Sequence, residues 1–174
     1  AAGALPMLLG AGLAPFALPA RAAETGAGEK VRVALIGSGG MGRGDLECFF
    51  GNPEVTCPVI CDIDDAMLAK GLEVCAKHNR PKPETTKDFR RVIERANVDA
   101  VIVATPDHWH ALSTVMACQA GKDVYVEKPL ALTIDEGRAM VEAAKRHHRV
   151  VQMGSQWRSA THIQEAANLV KSGQ

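Results

Sequence analysis

Residues Val31–Gly42 read V-R-V-A-L-I-G-S-G-G-M-G. An aliphatic run with the composition of a strand buried on both faces drops directly into Gly37-x-Gly39-x-x-Gly42. Each glycine has its own task in such a turn. Gly37 permits the sharp exit from the strand, Gly39 lets bare backbone approach a pyrophosphate, and Gly42 lets the next helix pack closely on the strand. The turn residues Ser38, Gly40 and Met41 complete the cradle, and the N–H groups at the helix start offer partial positive charge to phosphates. Asp62 stands 20 residues past Gly42, at the end of a second apolar run. A carboxylate at that distance can accept hydrogen bonds from a ribose 2′-OH. Strand before, helix after and acid at the right distance together predict a dinucleotide site. Asp62, with Asp64 and Asp65 beside it, would repel a 2′-phosphate, which favours NAD over NADP. Arg43 is the nearby cation, and a pyrophosphate is its better-placed partner.

Outward from this stretch the pattern alternates strand and helix. The strand over Val31–Gly37 is followed by a helix from Gly40 that a glycine and a proline stop at Gly51-Asn52-Pro53. A strand is expected over Val55–Cys61, a helix over Asp64–His78, a very short strand at Thr85–Thr86 and a helix over Asp88–Ala96. Asp99–Thr105 reads as a central parallel strand. Pro106-Asp107 opens a helix that Gly121 closes, and Asp123–Lys128 is the next strand. Thr133-Ile-Asp-Glu136 predicts a capping box at the head of a helix running to about His148. A strand over Arg149–Met153 and a helix over Ala160–Ser172, ended by Gly173, complete the series. Such alternation predicts an α/β fold, a Rossmann-type doubly wound parallel sheet, with ligands at the carboxyl ends of the strands.

The bulk properties suit a soluble α/β domain: 47% of the chain is apolar, 23% is charged, and the formal net charge is zero. With no basic stripe, no nucleic-acid partner is expected. Residues 1–20 carry no charge, and Ala20-Arg21-Ala22 has the small-x-small form of a signal cleavage site. Residues 1–22 are therefore read as the remnant of an export signal, and 23–30 as a linker. With no initial Met and no basic segment before the apolar run, the start of that signal is expected upstream. The five cysteines, Cys48, Cys57, Cys61, Cys75 and Cys118, are odd in number and scattered, which predicts buried free thiols and no disulfide framework. Free thiols fit an exported protein best if it crosses the membrane already folded, which predicts a twin-arginine signal and a periplasmic location, with the cytoplasm as the alternative.

Three polar clusters fall at predicted strand ends. Thr105-Pro106-Asp107-His108-Trp109-His110 begins a helix whose first N–H groups can hold polar parts of the cofactor. His108 and His110 point about 200° apart on a helix, so no metal clamp is expected there. Glu127-Lys128-Pro129 places a lysine at the crevice rim, where it could serve acid–base chemistry next to a nicotinamide. Gly154-Ser-Gln-Trp-Arg158 offers Gln156 and Arg158 toward cofactor or substrate.

Together these motifs resemble the Gfo/Idh/MocA oxidoreductases, a family that includes glucose–fructose oxidoreductase and inositol dehydrogenases. The resemblance covers about residues 31–174 and is closest to exported, sugar-acting members. It implies a Rossmann domain over 31–154, with 155–174 leading into a second α/β domain that is largely absent from this chain. It also implies NAD- or NADP-dependent oxidation or reduction of a sugar or cyclitol hydroxyl, with Lys128 close to that hydroxyl and homo-oligomers in the complete protein. Thr105, Pro106, His108, His110, Glu127, Lys128, Gln156 and Arg158 then join the glycine turn and Asp62 as cofactor contacts. Without most of the second domain, cofactor binding without efficient turnover is expected. Two further readings accompany this one. Some proteins similar in this half are glycosidases that use bound NAD for transient oxidation, elimination and re-reduction; a non-catalytic NAD-binding protein is the other.

Overall fold

The computed structural model describes residues 30–173; the expected signal remnant and all but the last residue of the linker lie outside them. The elements, in chain order, are β1 (Val31–Ile36), α1 (Gly40–Phe49), β2 (Val55–Thr56), β3 (Val59–Cys61), α2 (Asp65–Lys77), β4 (Glu84–Thr86) and α3 (Phe89–Ile93). Then follow β5 (Ala100–Val103), a single 3-10 turn, α4 (His110–Gln119), β6 (Asp123–Glu127), α5 (Ile134–Arg146), β7 (Val151–Gly154), a second 3-10 turn and α6 (Thr161–Ser172).

All strand pairs are parallel, and the sheet runs β4-β3-β1-β5-β6-β7, with β2 pairing β1 beside β3. The chain winds outward from β1 to β4 and then returns to the other side of β1. The order reverses between β1 and β5, and a crevice opens at their carboxyl ends. The seven-strand parallel sheet with helices is the predicted Rossmann-type fold.

Alternation along the strands accounts for two covered faces. Val33 and Leu35 of β1 join Ile60 and Ile102 against Leu46 and Phe50 around α1 and against Leu68 and Val74 of α2. Ala34 and Ile36 join Val101, Val103 and Val126 against Val92 of α3, Ala117 of α4 and Met140 of α5. At the amino ends of the strands Arg32 grips Asp99 through two side-chain bonds of 2.6 and 2.9 Å. Burial resists ionisation of Asp99, but these bonds outweigh it and hold the carboxyl below its ordinary range. Lys122 is buried nearby, its ammonium donating to the carbonyls of Arg95 and Val98.

Two expectations need correction. The single strand over Val55–Cys61 is two short strands. Pro58 has no N–H to give a ladder, so pairing stops at Cys57-Pro58 and resumes at Val59. The helix expected from Pro106-Asp107 begins as a 3-10 turn over Asp107–Trp109 and becomes α-helical at His110. The capping box is present: Thr133 Oγ1 accepts from Glu136 N, and Glu136 Oε2 accepts from Thr133 N at 3.0 Å. Among the cysteines, Cys48 is exposed while the other four are buried, and all five are free. No helix among the described residues is long and apolar enough to cross a membrane.

Candidate functional site: a dinucleotide crevice at the strand ends

The glycine turn is held by its neighbours on three sides. Gly37 has φ +93°, and a Cβ there would lie 2.6 Å from the Ala104 carbonyl. A Cβ on Gly42 would strike the Gly37 carbonyl oxygen. Gly39, by contrast, faces open space, with nothing within 4 Å of an ideal Cβ. It is also the N-cap of α1 and supplies no side-chain cap, so the first N–H groups of the helix are left for a ligand. Gly40 and Met41 are exposed beside it, and the Ser38 side chain is buried below. An oxygen in the Ser38 side chain fits only because α2 carries glycine opposite: a Cβ on Gly71 would collide with Ser38 Oγ.

Asp62 closes the turn from the end of β3. Its Oδ2 accepts from Ser38 N at 2.7 Å and its Oδ1 from Asp64 N at 3.0 Å. Two backbone donors thus fix the carboxylate at the crevice lip, half-buried, with lone pairs to spare for a ligand hydroxyl. Arg43 donates to the Ser38 carbonyl at 2.7 Å, so its guanidinium braces the turn itself.

The crevice holds a cavity of about 670 Å³. Gly37, Gly39, Asp62, Thr105, Pro106 and His108 all line it. Ile63, Phe89 and Trp109 give it an apolar wall, and Phe89 and Trp109 meet edge-on with ring centroids 5.9 Å apart. A flat apolar wall next to polar groups suits a nucleobase and ribose. Thr105 Oγ1 is buried without a hydrogen-bond partner in the described structure. An orphaned hydroxyl, an open glycine and uncapped helix N–H groups are what a dinucleotide would satisfy, so these residues fit that cofactor.

The remaining expected contacts separate. His110 does not line the crevice. It is 1% exposed, with Nδ1 2.7 Å from the Pro129 carbonyl oxygen and Nε2 2.8 Å from that of Thr105. It therefore ties the loop after β5 to the loop after β6, because helix α4 starts at His110 and turns that side chain inward. Lys128 is exposed at the end of β6, the strand adjacent to β5. Glu127 is buried: its Oε1 accepts from Gln156 Nε2 at 2.6 Å and its Oε2 from Lys128 N at 3.1 Å. Glu127 therefore ties the end of β6 to the turn after β7. Gln156 and Arg158 line a second depression with Tyr125 and Ser155, apart from the glycine turn. Among the described residues no group of three or more His, Cys, Asp or Glu could hold a metal ion.

Sequence reasoning missed Asp45, Gly71 and Tyr125, and the steric role of Gly154 within its cluster. Asp45 is buried on the sheet side of α1, and a Cβ on Gly154 would strike Glu127 Oε1. A carboxylate on the apolar stripe of a helix was the available signal for Asp45; nothing local marks the others.

Fold and crevice define a class, a Rossmann-type dinucleotide-binding domain. Residues 31–155 match the model of the oxidoreductase family with an NAD-binding Rossmann fold, Gfo/Idh/MocA, and the chain belongs to that family. It is 37% identical over 129 residues to glycosyl hydrolase family 109 protein 1 of a Shewanella species (strain ANA-3), covering 72% of this chain and 28% of that protein. Among solved structures it resembles myo-inositol 2-dehydrogenase of Lactobacillus plantarum, with TM-score 0.70, 27% identity and coverage of 83% of this chain and 42% of that one. It also resembles GenD2 from gentamicin A biosynthesis in complex with NAD, with TM-score 0.66, 27% identity and coverage of 74% and 35%.

Proposed function

We propose that this chain is the cofactor half of a nicotinamide-dependent enzyme acting on a carbon-bound hydroxyl of a sugar or cyclitol. The observation that carries it is the convergence of the glycine turn, Asp62 and Thr105 on one cavity, with Lys128 at the adjacent strand end. NAD, when bound, supplies a nicotinamide ring that accepts or returns a hydride. The chain's own residues do the rest. The α1 N-terminus and Gly39 seat the pyrophosphate, and Asp62 receives the ribose hydroxyls. Trp109 and Phe89 exclude water from one wall. Lys128 takes or gives the hydroxyl proton. The aldehyde- or ketone-forming step needs that proton removed as the hydride leaves, and an exposed amine at the strand end beside β5 is suited to it. The matched curated relative is more than three times the length this chain covers, consistent with a substrate-binding part outside residues 31–155.

The carboxylate of Asp62 favours NAD over NADP, because a 2′-phosphate would meet a fixed negative charge held by two backbone donors. The measurement is a pair of dissociation constants. NAD binding at least about tenfold tighter, roughly 1.4 kcal/mol, supports the preference, and equal or tighter NADP binding refutes it.

A second reading is favoured by the glycosyl hydrolase name of the 37% identical relative. In a glycosidase of this kind the same oxidation would be followed by elimination and re-reduction, so that cofactor is not consumed. Measuring NADH release against glycoside cleavage in the longer protein separates the two: stoichiometric NADH marks a dehydrogenase, and cleavage without it marks a hydrolase. Residues 1–22 are further proposed as part of an export signal, and a twin arginine upstream of Ala1 in the gene would support it.

A further inference from the structure

Asp45 breaks the pattern of its helix. α1 turns Gly42, Asp45 and Leu46 toward the sheet, where an apolar side chain is the rule. Asp45 is 7% exposed there, and its Oδ2 has no hydrogen-bond partner. An unpartnered buried carboxyl is costly and persists only where something offsets it.

Its surroundings are acidic. α1 leans on β6 at this point, and Phe49 meets Tyr125 edge-on with ring centroids 5.6 Å apart. The Tyr125 hydroxyl and Glu127 Oε1 lie together against Gly154, since a Cβ on that glycine would strike the carboxylate and lie 2.7 Å from the hydroxyl. Burial first, and the charge of Glu127 second, push Asp45 up to about 6. Burial and the charges of Asp45 and Glu127 push Tyr125 up to about 12. Asp45 lies one helical turn before Phe49, whose ring meets Tyr125, so the polar groups on that side of α1 are Tyr125 and, beside its hydroxyl, Glu127 of β6, with Cys48 a turn further along α1 and the neutral Gln156 beyond Glu127. The cations around α1 are engaged elsewhere. Lys77 of α2 binds Glu47, Arg43 binds the Ser38 carbonyl, and Arg32 of β1 holds Asp99 at the opposite end of the strands. β5 is made of aliphatic side chains only.

We propose that Asp45 is a positioning residue for the Lys128 strand end: acting through Glu127, its neutral form leaves the grip on the Lys128 N–H and the Gln156 amide intact, and its ionisation strains that grip. Two carboxylates brought to full charge in a shared low-dielectric site repel. Glu127 is tied at both oxygens, so any displacement passes directly to Lys128 and Gln156. The importance of that strand end rests on the reading of Lys128 under Proposed function; the coupling itself does not.

The test is nuclear magnetic resonance of the 174-residue chain without added cofactor, from about pH 5 to about pH 8. The Lys128 amide and the Gln156 side-chain amide are expected to shift together with a midpoint near 6. Asp45→Asn abolishes both shifts. Glu127→Gln moves the Asp45 carboxyl-carbon titration downward, though not to its ordinary value, because burial is retained. Flat amide signals in the wild type, or an Asp45→Asn spectrum that titrates like the wild type, overturn the proposal. If Asp45→Asn fails to fold, a wild-type Asp45 carboxyl carbon titrating in the ordinary range overturns it equally. NAD titration of the same samples keeps the two readings apart: shifts without NAD binding refute the cofactor reading alone, and NAD binding without shifts refutes the coupling alone.

Discussion

Gly37 and Gly39 stand two residues apart with opposite sensitivities to substitution. Gly37 combines a left-handed backbone with a Cβ position 2.6 Å from the Ala104 carbonyl. Gly37→Ala is expected to destabilise the chain by about 1–3 kcal/mol in urea unfolding, through strain and overpacking. Gly39→Ala meets only open space. It should leave the unfolding free energy within about 1 kcal/mol of the wild type yet weaken NAD binding, because the methyl occupies the proposed approach of the pyrophosphate. The tight turn at Gly37 and the position of Asp62 against the turn were legible in the spacing of the motif, since each depends on neighbours close in the chain or on one fixed distance. His110 was not. Its partners, the carbonyls of Thr105 and Pro129, reveal a bracing role only once β5 and β6 are side by side. Gly71 and Gly154 were silent for the same reason: the atoms that forbid a side chain there belong to Ser38, Tyr125 and Glu127.

At the scale of elements, local signals decide boundaries and buried charge decides pH dependence. Thr133→Ala removes the Oγ1 that accepts from Glu136 N, and with it one half of the capping box. A loss of about 1 kcal/mol in chemical denaturation is expected. The capping box shows that a cap can be read from a few residues; the break at Pro58 was not foreseen, because the apolar run Val55–Cys61 reads as one strand until its pairing with β1 is seen. Asp45 on α1 makes a further prediction. Its folded-state value of about 6 lies above its ordinary 3.8. The folded chain therefore holds the proton more tightly, and stability falls as pH rises from the ordinary carboxylate range through about 6. Asp45→Asn removes this loss. The variant should exceed the wild type in stability at neutral pH by on the order of 1–3 kcal/mol, with the difference vanishing below the ordinary range, as read by unfolding at two pH values.

At the scale of the whole molecule, the reversal of strand order between β1 and β5 gathers residues from four strand ends into one place. The sequence pattern of alternating elements sufficed to predict the parallel sheet with a crevice at the carboxyl ends of its strands. It did not show that Gln156 and Arg158 open onto a separate depression, since that depends on how the chain turns after β7. Under the proposed function, Lys128 is the residue that ties this scale to chemistry. In the longer protein, Lys128→Met is expected to lower turnover by about 10²–10⁴ while cofactor affinity stays near that of the wild type; full retained activity would remove Lys128 from the reaction. The central proposal is that this chain is built to hold a nicotinamide dinucleotide, NAD in preference to NADP. Calorimetric titration of the 174-residue chain with NAD and with NADP tests it most directly. Saturable one-site binding, tighter for NAD and weakened when Asp62→Ala removes the carboxylate, is the predicted result. A folded chain that binds neither dinucleotide would contradict the account.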